Sequence, residues 1–189
     1  AATRERDKFH IKKHIDSSIE LTDVTDEYVC LGVFGPKSRE LMAEISKDNF
    51  SNENFKFGNS KIVLIENKNI WVQRLSYVGE VGYELYIKFS EAKIIFDKII
   101  NIAKKYNLSL CGAHAMDILR MESGFIHWGH DISPEENQLE AGLRFAISFK
   151  KNFNFIGKEA LLKIDQSGVK KKFVMLTLDN SKPGEPLAL

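Results

Sequence analysis

The chain has 189 residues, of which 43% are hydrophobic and 28% charged, enough apolar material for a folded core beneath an ordinary polar surface. Lysine and arginine total 27 against 26 aspartates and glutamates, so no overall field recruits nucleic acid or an anionic membrane. The length suits one large domain, or one domain with a fragment of another, and no apolar run approaches the roughly 18 residues of a membrane span.

The two cysteines and the first residues bear on the cellular compartment. Cys30 and Cys111 are far apart and each is flanked by apolar residues, which indicates buried thiols rather than a disulfide framework. No secretory signal is recognisable, although the sequence opens on Ala1 instead of methionine. We therefore expect a reducing compartment, the cytoplasm or, in a eukaryote, the mitochondrial matrix, and a true N-terminus upstream of residue 1.

Hydrophobic periodicity predicts a strand-rich first half. The charged segment 4–15 is compatible with a helix, and the apolar run 28–34 suits a buried strand. Pro36 is well placed as the first residue of the next helix. Four further strands are predicted, separated by short turns that contain glycine or asparagine: 55–57, 61–65, 70–76 and 83–88.

Helical patterns dominate the second half. Ser90 is a suitable N-cap for a helix that reaches Tyr106, and a helix over 113–123 ends at Gly124. The remaining elements are a strand at 145–149, a helix at 158–164 and a strand at 173–178, with a break at 166–168. Because strands and helices do not alternate regularly, the pattern predicts an α+β fold with mixed or antiparallel sheets and packed helices.

The segment from Arg74 to Tyr86 carries the densest group of functional side chains. Two strand-like stretches meet at a glycine-containing turn, and Glu84 interrupts a strand that would pack without any carboxylate. A carboxylate accepts two parallel hydrogen bonds best from a planar fork of donors, which an arginine or a pterin ring can present. Two interpretations stay open. Glu84 pairs with Arg74 across the hairpin, or it binds a ligand with help from Tyr77 or Tyr83.

A second polar group lies near the end of the 113–123 helix. Arg120 occupies the last turn, where a cation suits the helix dipole. Trp128 lies in a glycine-flanked loop, as a core residue or as one wall of an aromatic pocket. His127 and His130 could in principle hold a metal, but no third ligand set accompanies them, so no metal site is predicted.

Together, six short motifs resemble the folate-binding aminomethyltransferase family, whose best-known member is the T-protein of the glycine cleavage system. They occur in the family's order and span nearly the whole chain: Gly35-Pro36…Ser38-Arg39, Arg74-x-Ser-Tyr77-x-Gly-Glu-x-Gly-Tyr-Glu84, Asp117-x-Leu-Arg120-x-Glu122-x-Gly124, Gly129-His-Asp131-Ile, Glu140-Ala-Gly-Leu143 and Phe155-Ile-Gly-Lys158. Each motif alone is weak, and it is their order that makes the resemblance specific.

The resemblance implies a tetrahydrofolate site. In this family the tyrosine and the glutamate that match Tyr77 and Glu84 contact the pterin, which favours a ligand over the internal ion pair. Arg74, Arg120 and Trp128 are further candidates for the folate pocket.

One departure indicates a branch of the family. T-proteins proper usually carry Arg-Asp where this chain has Met116-Asp117. The sequence is more similar to the C-terminal, folate-binding half of FAD-dependent dimethylglycine and sarcosine dehydrogenases. In those enzymes the flavin half oxidises an N-methyl amine to an iminium, and the folate half captures the carbon as 5,10-methylenetetrahydrofolate. No FAD-binding motif is found in this sequence. FAD is therefore expected only in an N-terminal domain that is not part of it.

Two further departures limit the prediction. The family's key aspartate lies in a segment before residue 1, so the catalytic residue stays unknown. The family also ends in a small β-barrel, of which residues 169–189 resemble only the first part. We expect 1–168 to be a folate-binding domain without its start and 169–189 a truncated barrel domain.

The expected protein is thus part of a larger enzyme and inactive as an isolated fragment. Its expected partners are folate, an amine-derived one-carbon unit and a fused FAD oxidoreductase domain, without nucleic acid or membrane. Two alternatives stay open: a fragment of a stand-alone T-protein or folate-dependent demethylase, and a folate-binding module without catalysis.

Overall fold

The computed structural model describes residues 3–176, which fall into two compact units divided after Ala113. The first unit is organised around an antiparallel sheet, and the second around two helices joined by long loops. None of the helices within 3–176 has both the length and the apolar content that a membrane span requires. The α+β class predicted from the sequence is confirmed.

The sheet of the first unit has four strands in the order β1-β4-β3-β2. Their bounds are Tyr28–Phe34 for β1, Ser60–Ile65 for β2, Lys68–Gln73 for β3 and Gly82–Lys88 for β4. The predicted strands at 28–34, 61–65 and 83–88 are confirmed, and the one predicted at 70–76 begins and ends earlier. In the register, Glu84 of β4 lies between Gly32 of β1 and Gln73 of β3.

Two helices cover one face of this sheet, α2 (Ser38–Ile45) and α3 (Ala92–Ile102), whereas α1 (Arg4–His14) buries no side chain. The core between sheet and helices is formed by alternate strand residues and the apolar stripes of the helices: Val33, Leu41, Met42, Ile45, Val63, Ile65, Ile70, Val72, Tyr83, Leu85, Ile87, Ile95 and Ile99. Because side chains alternate along a strand, the residues between them point away from the helices. We call that side of the sheet the open face.

Two local predictions in the first unit are wrong, each for an identifiable reason, and a third is confirmed with a different helix start. Helix α2 begins at Ser38 rather than Pro36, because a turn closed by the Ser38 N–H on the Gly35 carbonyl (3.0 Å) precedes it. The segment 55–57 is not a strand. Phe55 closes a turn on the Ser51 carbonyl (2.8 Å) and places its ring in the core. The helix predicted up to Tyr106 is confirmed as α3, which continues into short 3₁₀ turns at both ends, although Ser90 lies inside the first of these turns and is not the N-cap.

The second unit contains α4 (Ala113–Glu122) and α5 (Lys158–Ser167). Helix α4 ends at Glu122, and Gly124, two residues later, has a positive φ of 71°, which suits a glycine at the end of a helix. The strand predicted at 145–149 is wrong, since Arg144–Ala146 form a 3₁₀ turn. Residues 114–176 form no strand, and the β-bridge between Trp128 and Ile132 is isolated.

Two further expectations concern the cysteines and the end of the chain. Cys30 and Cys111 are exposed rather than buried, because Cys30 lies on the open face and Cys111 precedes α4 in an exposed connection. Residues 173–176 are in no strand, and 177–178 lie outside the described residues. The barrel domain predicted for 169–189 therefore stays a prediction, as does a domain boundary at 166–168.

Candidate functional site

The open face of the sheet carries the central carboxylate, Glu84. Along β4, Tyr83, Leu85 and Ile87 are buried in the core, whereas Glu84 and Tyr86 are half-buried on the opposite side. Glu84 accepts a hydrogen bond from the Tyr86 hydroxyl, with 2.8 Å between Oη and Oε2. Within residues 3–176 no lysine, arginine or histidine forms an ion pair with this carboxylate.

A phenylalanine borders Glu84 on the β1 side. Gly32, which faces Glu84 in the register, has no side chain of its own, and the Phe34 ring fills that space. A Cβ added at Gly32 would lie 2.4 Å from the ring, and one added at Gly82 would lie 2.3 Å from it. Both glycines are therefore required for Phe34 to lie across the sheet beside the carboxylate.

Tyr86 is held by its own neighbours on the open face. Its ring stacks on Trp71 of β3, with 4.6 Å between the ring centroids and 31° between the planes. Desolvation, followed by the hydrogen bond and the negative charge of Glu84, raises the pKa of the Tyr86 hydroxyl. Partial desolvation and then the same carboxylate raise the pKa of the Cys30 thiol, which disfavours a nucleophilic thiolate.

Arg74 does not pair with Glu84, so the internal ion pair considered from the sequence is not formed. The Gln73 side chain shares the face of Glu84. Arg74 is the next residue, and because side chains alternate along a strand, its side chain points to the other side of the sheet. There its guanidinium donates to the Phe55 carbonyl (2.5 Å) and to Asn52 Oδ1 (2.7 Å). Arg74 thus holds the 51–57 loop, and Glu84 keeps only a phenol as partner among the described residues.

The two tyrosines considered as ligand contacts lie in different surroundings. Tyr77 is half-buried in the irregular connection between β3 and β4, close in sequence to the strand that carries Glu84. Tyr83 is fully buried and packs edge-on against Phe50, with 5.4 Å between the ring centroids. Tyr83 is therefore a core residue, and a ligand contact by Tyr77 stays a prediction.

In the second unit, Arg120 is the centre of a polar network. Its side chain is nearly inaccessible and donates to Asp117 Oδ1 (2.7 Å), to the Phe125 carbonyl (3.1 Å) and to Asp131. Asp131 also accepts from the backbone N–H of His127 (2.8 Å). The Arg120 hydrogen bond lowers the pKa of Asp117. These bonds tie the 125–131 loop to α4, so Arg120 has a structural role whether or not it also contacts a ligand.

Trp128 and the two histidines lie in that loop. Trp128 is 44% exposed, so its ring is not a core residue, and its role as the wall of a pocket stays a prediction. The His127 and His130 rings lie 4.4 Å apart, and His127 Nδ1 is 3.5 Å from Asp117 Oδ1. In the part of the chain that the structure describes, no group of three such side chains could hold a metal ion.

The predicted site residues thus fall into two sets. Arg74, Tyr77 and Glu84 lie in the first unit, and Arg120 and Trp128 lie in the second. Two surface concavities of about 760 and 320 Å³ lie around residues 154–163 and around 139–144 with 165–173, and none of these five residues lines them.

Sequence reasoning missed three neighbours of Glu84. Tyr86 could have been found, because it stands two residues after Glu84 and so shares its face. Phe34 and Trp71 could not, since only the cross-strand register places Phe34 opposite Gly82 and Trp71 opposite Tyr86, on the face that carries Glu84.

Comparison with known proteins places these features in context. The family model of the GCVT N-terminal domain matches residues 1–151. The chain is 40% identical over 161 residues to 4-methylaminobutanoate oxidase (formaldehyde-forming) of Paenarthrobacter nicotinovorans, covering 85% of the chain and 20% of the oxidase. It is 36% identical over 160 residues to human mitochondrial dimethylglycine dehydrogenase, covering 85% of the chain and 18% of that protein.

A shorter type of relative and a solved structure are also similar. The aminomethyltransferase of Thermoanaerobacter pseudethanolicus is 38% identical over 168 residues, which cover 87% of the chain and 45% of the relative. The crystal structure of the glycine cleavage system aminomethyltransferase T from Bartonella henselae superposes with a TM-score of 0.70 at 24% identity, covering 88% of the chain and 44% of that protein. This structural likeness concerns the fold alone. The chain spans less than half of each of these proteins.

Proposed function

Because this chain belongs to the family of the GCVT N-terminal domain, as the order of its six motifs predicted, we propose that it is a tetrahydrofolate-binding, one-carbon-transfer module. Its larger context in this proposal is an FAD-dependent N-methyl amine oxidoreductase. The similarity to an oxidase and a dehydrogenase that are several times longer than the chain supports that context. The folate would accept the one-carbon unit released from the amine.

The observation that carries the proposal is the state of Glu84. A carboxylate on a sheet ordinarily takes a cationic partner or remains in water, and Glu84 is half-buried with one phenolic donor. Arg74, which could have neutralised it, is bound to the 51–57 loop instead. The remaining acceptor capacity of Glu84 fits a planar pair of N–H donors, such as the ring N–H and amino group of a pterin.

The other predicted site residues differ in whether they would contact the ligand or hold a loop in place. Tyr77, half-buried in the connection before β4, would contact the pterin together with Glu84. Trp128, exposed in the second unit, is a candidate contact by the family resemblance alone. Arg74 and Arg120 make internal hydrogen bonds, so they would act chiefly by holding the 51–57 and 125–131 loops in place. The chain's contribution to catalysis is then positioning of two reactants, which by itself can accelerate a reaction greatly.

Glu84→Gln tests this proposal in the full-length protein. The substitution keeps the shape of the side chain but replaces one acceptor oxygen by a donor, so we expect the affinity for tetrahydrofolate to fall by about 10- to 100-fold. Isothermal titration calorimetry measures the affinity, and the rate of amine oxidation should stay unchanged. Glu80→Gln, on the exposed turn of the same segment, is the matched control. Equal affinities for Glu84→Gln and wild type would refute the role of Glu84.

A second candidate function is a stand-alone aminomethyltransferase, which the 38% identity to such an enzyme favours. The two candidates differ in what is encoded upstream of residue 1. A contiguous flavin-binding region would support the oxidoreductase, and a short folate-binding start alone would support the aminomethyltransferase. A folate-binding module without catalysis would bind tetrahydrofolate yet transfer no carbon in a full-length assay.

A further inference from the structure

Tyr86 and Glu84 form a pair on the open face of β4. They are two residues apart, so their side chains leave the strand on the same side. The Tyr86 hydroxyl donates to Glu84 Oε2 at 2.8 Å, a distance typical of a hydrogen bond from a hydroxyl group. No other donor to this carboxylate is found between residues 3 and 176, so the Tyr86 hydroxyl makes the one described hydrogen bond to Oε2.

The tyrosine ring is fixed independently of that bond. Trp71 and Tyr86 face each other in the β3–β4 register, and their rings are stacked with centroids 4.6 Å apart. Cross-strand aromatic pairs of this kind stabilise the sheet and restrict both rings. The hydroxyl is therefore delivered to Glu84 from a fixed position.

The carboxylate needs such a restraint. The terminal torsion of a glutamate is broad, so a carboxylate without a partner samples many orientations of its plane. A bidentate interaction with two parallel N–H donors requires one orientation of that plane. Phe34, packed over Gly32 and Gly82, limits the space on the β1 side but offers no hydrogen bond.

We infer that Tyr86 is a positioning residue for Glu84, holding Oε2 so that the carboxylate plane is preset for a planar pair of ligand N–H donors. This inference rests on the proposed folate-binding function for the identity of the ligand. Each carboxylate oxygen has two acceptor directions, so Oε2 can accept from Tyr86 and from the ligand at the same time. Tyr86 itself need not touch the ligand.

The test is a double-mutant cycle in the full-length protein, with tetrahydrofolate as the titrated ligand. Tyr86→Phe keeps the ring stacked on Trp71 and removes only the hydroxyl. We expect it to weaken binding by about tenfold in the wild-type background. In the Glu84→Gln background it should add less than about twofold, because a residue that acts through Glu84 loses its effect there. Tyr28→Phe, on the edge strand β1, is the matched control.

A second readout needs no ligand. Desolvation and the neighbouring carboxylate raise the pKa of the Tyr86 hydroxyl. Besides Glu84, the titratable side chains on the same face of β4 and β1 are Lys88, Cys30 and Tyr28, whereas Tyr83 of β4 points into the core. The ultraviolet titration of wild type minus Tyr86→Phe isolates this one ionisation. In Glu84→Gln the ionisation should move to lower pH, because the negative charge that opposes it is gone.

The outcomes separate the two proposals. If Tyr86→Phe binds as wild type does while Glu84→Gln binds weakly, or if the two effects add fully, the positioning role is wrong and the folate site stands. If wild type binds no tetrahydrofolate, the proposed function fails. The ultraviolet titration then decides on the pair alone, and a Tyr86 ionisation that is unchanged in Glu84→Gln overturns the positioning role.

Discussion

Tyr83→Phe should stabilise the first unit, although most core substitutions destabilise a protein. The Tyr83 ring is fully buried and contacts Phe50 edge-on and Phe55 at 5.7 Å between centroids. Its hydroxyl is buried as well and makes no hydrogen bond to any residue that the structure describes. A buried polar group without a partner costs about 1–3 kcal/mol, and phenylalanine removes that group while keeping the aromatic contacts.

The free energy of unfolding should rise by about 1 kcal/mol, because contacts between the hydroxyl oxygen and its neighbours offset part of the cost of burying the hydroxyl. With a urea dependence of about 1–3 kcal/mol per molar, the unfolding midpoint should rise by about 0.3–1 M. Tyr83→Leu is the control, since it removes the hydroxyl and the aromatic pairs together and should lower the midpoint. A Tyr83→Phe variant with a lower midpoint than wild type would refute the reasoning, because the hydroxyl would then have a partner.

Two further predictions concern stability. The first compares a buried leucine with an exposed one, and the second concerns the pH dependence that Glu136 confers. Leu85 is fully buried on β4, so Leu85→Ala should lower the free energy of unfolding by about 2–5 kcal/mol in a urea titration. Leu64 is 53% exposed on the open face, so Leu64→Ala should change it by less than about 0.5 kcal/mol. Equal losses at the two positions would mean that the open face is covered. Lys171 and then Ser133 lower the pKa of Glu136 from 4.5 to about 2, so its contribution to stability is present above pH 4.5 and is lost as the pH falls toward 2. Glu136→Gln should therefore flatten the pH dependence of the urea midpoint in that window, and an unchanged slope would contradict the pairing.

Several elements could be predicted because their signals are local. The apolar run 28–34 and the alternating residues of 83–88 form the strands expected of them, since a period of two determines which side chains share a face. The glycine after α4 adopts the positive φ that ends a helix. In contrast, 55–57 and 145–149 have strand-like composition but form turns, because a strand also requires a partner in register.

The candidate site, too, could be predicted only in part. The sequence by itself determined the family, through the order of six motifs, and identified Glu84 as a carboxylate in need of donors. Spacing alone left the choice between Arg74 and a ligand open, and the family resemblance favoured the ligand. Only the tertiary structure decided that Arg74 turns to the 51–57 loop and that Tyr86 is the one described donor to Glu84. The physical reason is that a side chain's partner depends on the sheet face it occupies and on the neighbouring strands, which spacing along the chain does not specify.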